Sequence, residues 1–294
     1  MADSENVSIL SASDLAMVLL VRVDDSGRAM PTVRPREIGA VVKELAGLGI
    51  RAVKLFASGD ARDCTGSRGK APDSLMARTI RELKAAHSSV IVMTETCLCS
   101  YTDSGECHLI DRTGHPDRLA TIEAIAEQAV AQAAAGADVV GPAAMINGSV
   151  GWVRRALDET GHSEVQVMPH LIFDSRLYNA YRQTMDAAPA SGERRVFQID
   201  PARPETAVRA SLGFVDEGAD MLLLEPALFC GDVLIALKQM CRVPIAPFSV
   251  SGEYLRLRSE GDSRLLIELF TLLKRSGADQ IITYAAADIA RSLG

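Results

Sequence analysis

Short apolar runs alternate with longer amphipathic stretches along the whole chain. Eight runs of strand length fall at residues 16–23, 52–57, 90–95, 138–142, 165–170, 220–224, 244–250 and 280–285. Residues 35–48, 73–86, 115–135, 149–160, 204–217, 232–240 and 263–276 carry apolar side chains at three- and four-residue spacing. That is the period of a helix with one buried face. Strands that are apolar throughout, rather than alternately, belong to parallel sheets covered on both faces. A short phrase marks the junctions. Ala135-Gly136-Ala137-Asp138-Val139-Val140 recurs as Glu217-Gly218-Ala219-Asp220-Met221-Leu222 and as Ser276-Gly277-Ala278-Asp279-Gln280-Ile281, with a looser copy at residues 48–53. In each, glycine suits the position just past a helix end, where φ turns positive.

Eight strand–helix units in succession predict an α/β protein folded as a (β/α)₈ TIM barrel, with a doubly wound open sheet as the rival. A barrel needs about 250 residues, and the chain has 294. No Pro/Gly/Ser-rich linker divides it, so residues 1–294 read as a single domain with a short N-terminal arm over 1–14. Irregular sequence fills 58–72, 96–114 and 173–203, after the second, third and fifth strands. Barrel chemistry sits at the C-terminal strand ends, so these are expected to be extended active-site loops.

Composition narrows the partners. The net charge is −7 and the basic residues are scattered, without interleaved aromatics. That argues against nucleic acid. No apolar run approaches the ~18 residues of a membrane span. The first 14 residues are acidic and polar, unlike a signal peptide. Six cysteines without an export signal point to reduced thiols and a cytoplasmic location.

Three of those cysteines are informative. Cys97, Cys99 and Cys107 follow the third strand as C-x-C-x₇-C. Cys97 and Cys99 can face one side of an extended segment, and Cys107 can return through a turn at Gly105. Three thiolates suit Zn²⁺ with an open fourth position, as in catalytic zinc sites. The alternative is three small buried hydrophobes. His108 is a conceivable fourth ligand, although a surface loop position is the simpler expectation. Cys64, Cys230 and Cys241 read as plain thiols. Arg182, Arg194 and Gln198 fall in the long loop after the fifth strand, and Ser251 and Tyr284 close the seventh and eighth. Arginine suits bidentate carboxylate recognition.

Together these residues resemble the porphobilinogen synthase, or 5-aminolevulinate dehydratase, family over nearly the whole chain. Cys97-Leu98-Cys99-Ser100-Tyr101-Thr102 with Cys107 matches its zinc motif. Val250-Ser251-Gly252-Glu253-Tyr254, Ile281-Ile282-Thr283-Tyr284 and Gln198-Ile199-Asp200-Pro201 match further signatures, and Arg62-Asp63 with Gly66-Ser67 matches more weakly. The resemblance implies a barrel lyase that condenses two molecules of 5-aminolevulinate. It implies one carboxylate grip at Arg182, Arg194 and Gln198, a second at Ser251 and Tyr284, and Zn²⁺ on Cys97, Cys99 and Cys107.

The departures are specific. The family holds its substrates as Schiff bases on two lysines. Anchored on Tyr178 and Arg182, one of these positions is Ile172; in Leu224-Glu225-Pro226-Ala227 the other is Glu225. The polar Ser-Asp-Met-Met-Asp-Gly segment becomes Ala143-Ala144-Met145-Ile146-Asn147-Gly148. A Schiff base needs a primary amine. Lys54, in the second strand, is a conceivable stand-in, but the simpler reading is an exposed strand-end lysine. His170 and Asp174 flank Ile172 at two-residue spacing, so an extended segment places all three on one face. The expectation is a zinc-dependent lyase acting on small amino- or keto-carboxylic acids without a lysine adduct, with Glu225 and His170 moving protons. The alternatives are a ligand-binding or regulatory homologue and the ordinary 5-aminolevulinate dehydratase. Because the family's basic N-terminal arm segment is missing, a homodimer or other small homo-oligomer is expected rather than an octamer.

Overall fold

The computed structural model describes residues 9–24, 27–189, 197–258 and 262–293. The expected strands form as β1 (Leu15–Arg22), β2 (Ala52–Ser58), β3 (Ile91–Thr96), β4 (Val139–Pro142), β5 in two segments (Gln166–Val167 and His170–Ile172), β6 (Leu222–Glu225), β7 (Ile245–Ser249) and β8 (Ile281–Thr283). Every pairing among them is parallel. β5 explains how the sheet closes. Its first segment pairs with β4 and its second with β6. Only Met168 and Pro169 lie between the two segments, and proline has no N–H for a ladder. The bonds continue across the break, with Met168 N donating to Val140 O at 2.8 Å and Leu223 N to Pro169 O at 3.1 Å. The rival open sheet is therefore excluded, and the fold is an eight-stranded parallel barrel.

The helices cover it as α1 (Ile38–Gly47), α2 (Leu75–Ala86), α3 (Arg118–Ala134), α4 (Ser149–Glu159), α5 (Asn179–Thr184), α6 (Pro204–Asp216), α7 (Gly231–Met240), α8 (Ser251–Leu257), α9 (Arg264–Arg275) and α10 (Ala286–Leu293). Of these, α5, α8 and α10 are not anticipated by the sequence pattern. The first two have six and seven residues, too few for a clear period. β2 is buried along its whole length, as a strand between barrel interior and helix layer must be.

The repeated Gly-Ala-Asp phrase has a physical cause beyond its helix-ending glycines, which take φ of +102° to +107°. Each aspartate ties three elements together. Asp138 accepts from Val92 N of β3 at 2.7 Å and pairs with Lys84 of α2. Asp220 accepts from Val167 N of β5 at 2.8 Å and pairs with Arg154 of α4. Asp279 accepts from Ile245 N of β7 at 2.8 Å and pairs with Lys238 of α7. These carboxylates satisfy strand-start donors that would otherwise lack a ladder partner. They lie at the N-terminal ends of the strands, which leaves the opposite mouth to the irregular loops.

Candidate active site

A cavity opens at the C-terminal mouth of the barrel. Cys97, Cys99, Cys107, Arg182, Gln198, Glu225, Ser251 and Tyr284 all line it. Arg194 lies outside the described residues.

The three cysteine sulfurs lie within 4.8 Å of one another. Cys97 and Cys99 are buried, with Sγ atoms 3.4 Å apart. Tetrahedral zinc with Zn–S bonds near 2.3 Å requires sulfur separations of about 3.8 Å, so the cluster fits. The neighbouring thiols and burial push the Cys97 thiol well above its usual range. A bound cation reverses that preference, because a coordinating thiol is deprotonated outright. The loop is built for this grouping. Gly105 takes φ +67° in the turn that brings Cys107 back, and Thr102 Oγ1 donates to Glu106 O across it. From α3, Gln128 donates to the Cys97 carbonyl at 3.2 Å. Gln132 donates to the Glu95 carbonyl and accepts from the Thr94 and Thr96 hydroxyls. His108 is not in the cluster. It is buried, not a surface residue as the sequence suggests, and packs edge-on against Phe197 at 5.7 Å.

The expected grip residues Arg182, Gln198, Ser251 and Tyr284 share the cavity lining. Arg182 is buried on α5, with its guanidinium 5.5 Å from the Tyr178 ring centroid. Gln198 Oε1 is buried and lacks a hydrogen bond among the described residues. Ser251 has a structural duty as well. Its hydroxyl donates to Leu177 O at 2.9 Å and accepts from Tyr181 N at 3.1 Å, which pins the β5 loop onto α8. Glu253 braces the same corner, its carboxylate accepting from Leu228 N and Val250 N, both at 2.6 Å.

Beneath the cavity, three ionisable groups form a chain. Lys54 is 0% exposed, His170 2% and Glu225 5%. Lys54 is thus an interior residue, not the exposed strand-end lysine that the sequence suggests. β2 is covered on both faces, so a mid-strand lysine has no route to water. Lys54 Nζ donates to Thr94 O and meets His170 Nε2, both at 2.8 Å. His170 Nδ1 meets Glu225 Oε1 at 3.0 Å. Burial lowers Lys54 to about 8, with Glu95 and Glu225 opposing the shift. Burial, reinforced by Glu95, raises Glu225 to about 8. Burial and the Lys54 charge hold His170 well below its usual value, so it is neutral. Glu225 and Ile172 line the cavity; His170 is not among the lining residues.

Sequence reasoning missed two further parts of the site. Glu95 lines the cavity and accepts from the Tyr181 hydroxyl at 3.0 Å. A carboxylate two positions before Cys97, at a strand end, was the available signal for it. For Tyr181, inside an irregular loop, there was none.

The fold and site together define a barrel enzyme with a cysteine cluster, an arginine and two carboxyl groups lining one mouth. The chain belongs to the delta-aminolevulinic acid dehydratase family, whose sequence profile matches residues 7–292. The family's enzymes are lyases of the dehydrating, condensing type. The delta-aminolevulinic acid dehydratases of Staphylococcus aureus (strain N315) and Bacillus subtilis (strain 168) are each 34% identical to this chain, over 86% of it and 80% of their own length. The crystal structure of delta-aminolevulinic acid dehydratase (porphobilinogen synthase) from Toxoplasma gondii ME49, in complex with the reaction product porphobilinogen, superposes with a TM-score of 0.92. The two are 27% identical, over 98% of this chain and 87% of that one.

Proposed function

We propose that this chain is a zinc-dependent lyase of the family that acts on amino- or keto-carboxylic acids without a lysine Schiff base, in specialised metabolism. The observation that carries the reading is the cavity wall itself. Ile172 and Glu225, which stand where the resemblance calls for lysines, both line it. Neither side chain can form an imine.

Cys97, Cys99 and Cys107 would hold the zinc, which as a Lewis acid supplies polarisation of a carbonyl or of water. The chain's own groups do the rest. Arg182 and Gln198, with Arg194, bind one carboxylate, and Tyr284 with Ser251 binds the other. Glu225 holds a proton at neutral pH because its charged form is poorly solvated. Among the described residues its Oε2 makes no hydrogen bond, which leaves that oxygen to donate to a departing oxygen as a general acid. His170 steadies the carboxyl from behind. A homodimer or other small homo-oligomer is proposed for the assembly.

The test is borohydride reduction of the zinc-loaded protein with 5-aminolevulinate, read by peptide mass spectrometry. No lysine adduct, together with loss of turnover in Glu225→Gln, supports the reading. An adduct sinks the non-covalent mechanism. The second reading is ordinary 5-aminolevulinate dehydration, and one observation favours it. Lys54 is a buried amine with a lowered pKa lying below Glu225, and such amines are competent for imine formation. An adduct on Lys54 would establish that reading.

A further inference from the structure

We propose that Lys54 recharges Glu225 with protons from inside the barrel, through His170, so that the three residues work as one unit. The inference rests on the reading that Glu225 is the group that moves protons. It starts from bonding rules. An ammonium has only donors. Lys54 spends one on Thr94 O and presents another to His170 Nε2, which must therefore accept. A neutral imidazole with Nε2 accepting carries its hydrogen on Nδ1. Nδ1–H then donates to Glu225 Oε1. Lys54 thus fixes the tautomer of His170, and His170 fixes which oxygen of Glu225 is left for the cavity.

The same two bonds form a path. After Glu225 gives up the proton on Oε2, it is a carboxylate facing His170. The Nδ1–H bond then breaks as an O–H bond forms on Oε1, and an Nζ–H bond breaks as an Nε2–H bond forms. The ammonium becomes an amine, the carboxylate becomes a carboxylic acid, and the imidazole is neutral before and after. The new hydrogen lies on Oε1, and with Nδ1 no longer donating, a half-turn of the carboxyl group presents it to the cavity. The reverse shift restores Lys54 when Glu225 takes a proton from substrate or water. No other co-reactant is needed. Burial of all three residues makes this a supply separate from bulk solvent.

The arrangement depends on space provided by a fourth strand. A Cβ at Gly141 of β4 would lie 2.5 Å from Lys54 Nζ and 2.8 Å from His170 Nε2. The unit is thus assembled from β2, β4, β5 and β6. Lys54 acts through another side chain and is a positioning residue. The groups facing Glu225 are Lys54, His170, Glu95, Glu253, Arg182, Tyr178, Tyr284 and Cys230.

NMR of the zinc-loaded full chain tests this without any turnover. Histidine ¹⁵N signals should place the His170 hydrogen on Nδ1; a hydrogen on Nε2 overturns the proposal. This reading uses the unaltered protein. With ¹³C-labelled lysine and glutamate, Lys54 should titrate well below the other lysines. In Glu225→Gln its midpoint should fall by about one pH unit or more, and in Lys54→Met the Glu225 midpoint should rise by a similar amount. Midpoints that ignore each other overturn the relay. They would leave the acid–base role of Glu225 to its own turnover test.

Discussion

Gly141 and Lys54 fit together across adjacent layers of the barrel interior, with room for a hydrogen at position 141 and nothing larger. A built Cβ there also falls 2.6 Å from Thr94 O, so both hydrogen-bond acceptors of Lys54 crowd the same point. Gly141→Ala should therefore displace a buried ammonium from its partners. Overpacking of this kind costs about 1–3 kcal/mol, and partial loss of buried charge pairing adds to it. Urea denaturation of the two proteins checks this. A variant as stable as the parent would show that Lys54 has another resting place.

The cysteine cluster predicts metal-dependent stability. One zinc per chain is expected by elemental analysis, falling to a small fraction of that in Cys97→Ala and Cys107→Ser. Chelation should lower the Tm of the parent protein, because ligand binding to the native state stabilises it by mass action. It should leave the Tm of the two variants nearly unchanged. Equal zinc content in parent and variants would place the metal elsewhere.

Three buried groups with displaced pKa values give stability an unusual pH profile. Glu225 moves from 4.5 to about 8, so between these values the folded chain keeps a proton that the unfolded chain has released. Its contribution is fully present below pH 4.5 and is lost as pH rises through 8. Glu253, raised to about 7 by burial, acts in the same direction. Lys54 moves from 10.5 to about 8, so the unfolded chain holds the extra proton between those values and stability recovers as pH rises across them. Denaturation free energy should thus pass through a minimum near pH 8. Glu225→Gln should flatten the limb below pH 8 by an amount on the order of a few kcal/mol. An unchanged limb would mean that Glu225 ionises normally.

The barrel was legible because its signals are local. Apolar runs, helical spacing and the Gly-Ala-Asp phrase each occupy one stretch of chain, and all eight strands appear where the runs predict them. The cysteine cluster was legible for the same reason. The chain beneath the cavity was not. Lys54 and His170 are 116 residues apart, and His170 and Glu225 are 55 apart. A lysine in an apolar run looks like a strand end until the histidine that meets it is known. Ser251 was legible as a site residue, yet its bonds to Leu177 and Tyr181 depend on where α5 and α8 pack.

That double duty separates the two carboxylate grips experimentally. Levulinate, which has a carboxylate and a ketone but no amine, serves as the probe. Arg182 is buried against the Tyr178 ring, and a lysine there keeps the charge while losing the planar fork. Arg182→Lys should weaken levulinate binding by about tenfold or more, the scale of one charge-assisted hydrogen bond, with little change in Tm. Ser251→Ala removes two hydrogen bonds that hold the β5 loop to α8, each contributing roughly 0.5–1.5 kcal/mol. It should lower both Tm and affinity, because the loop that carries Arg182 is released. Calorimetric titration and thermal melts of both variants read the contrast. Equal loss of stability in the two would mean that Arg182 serves the fold as Ser251 does, and would remove it from the grip.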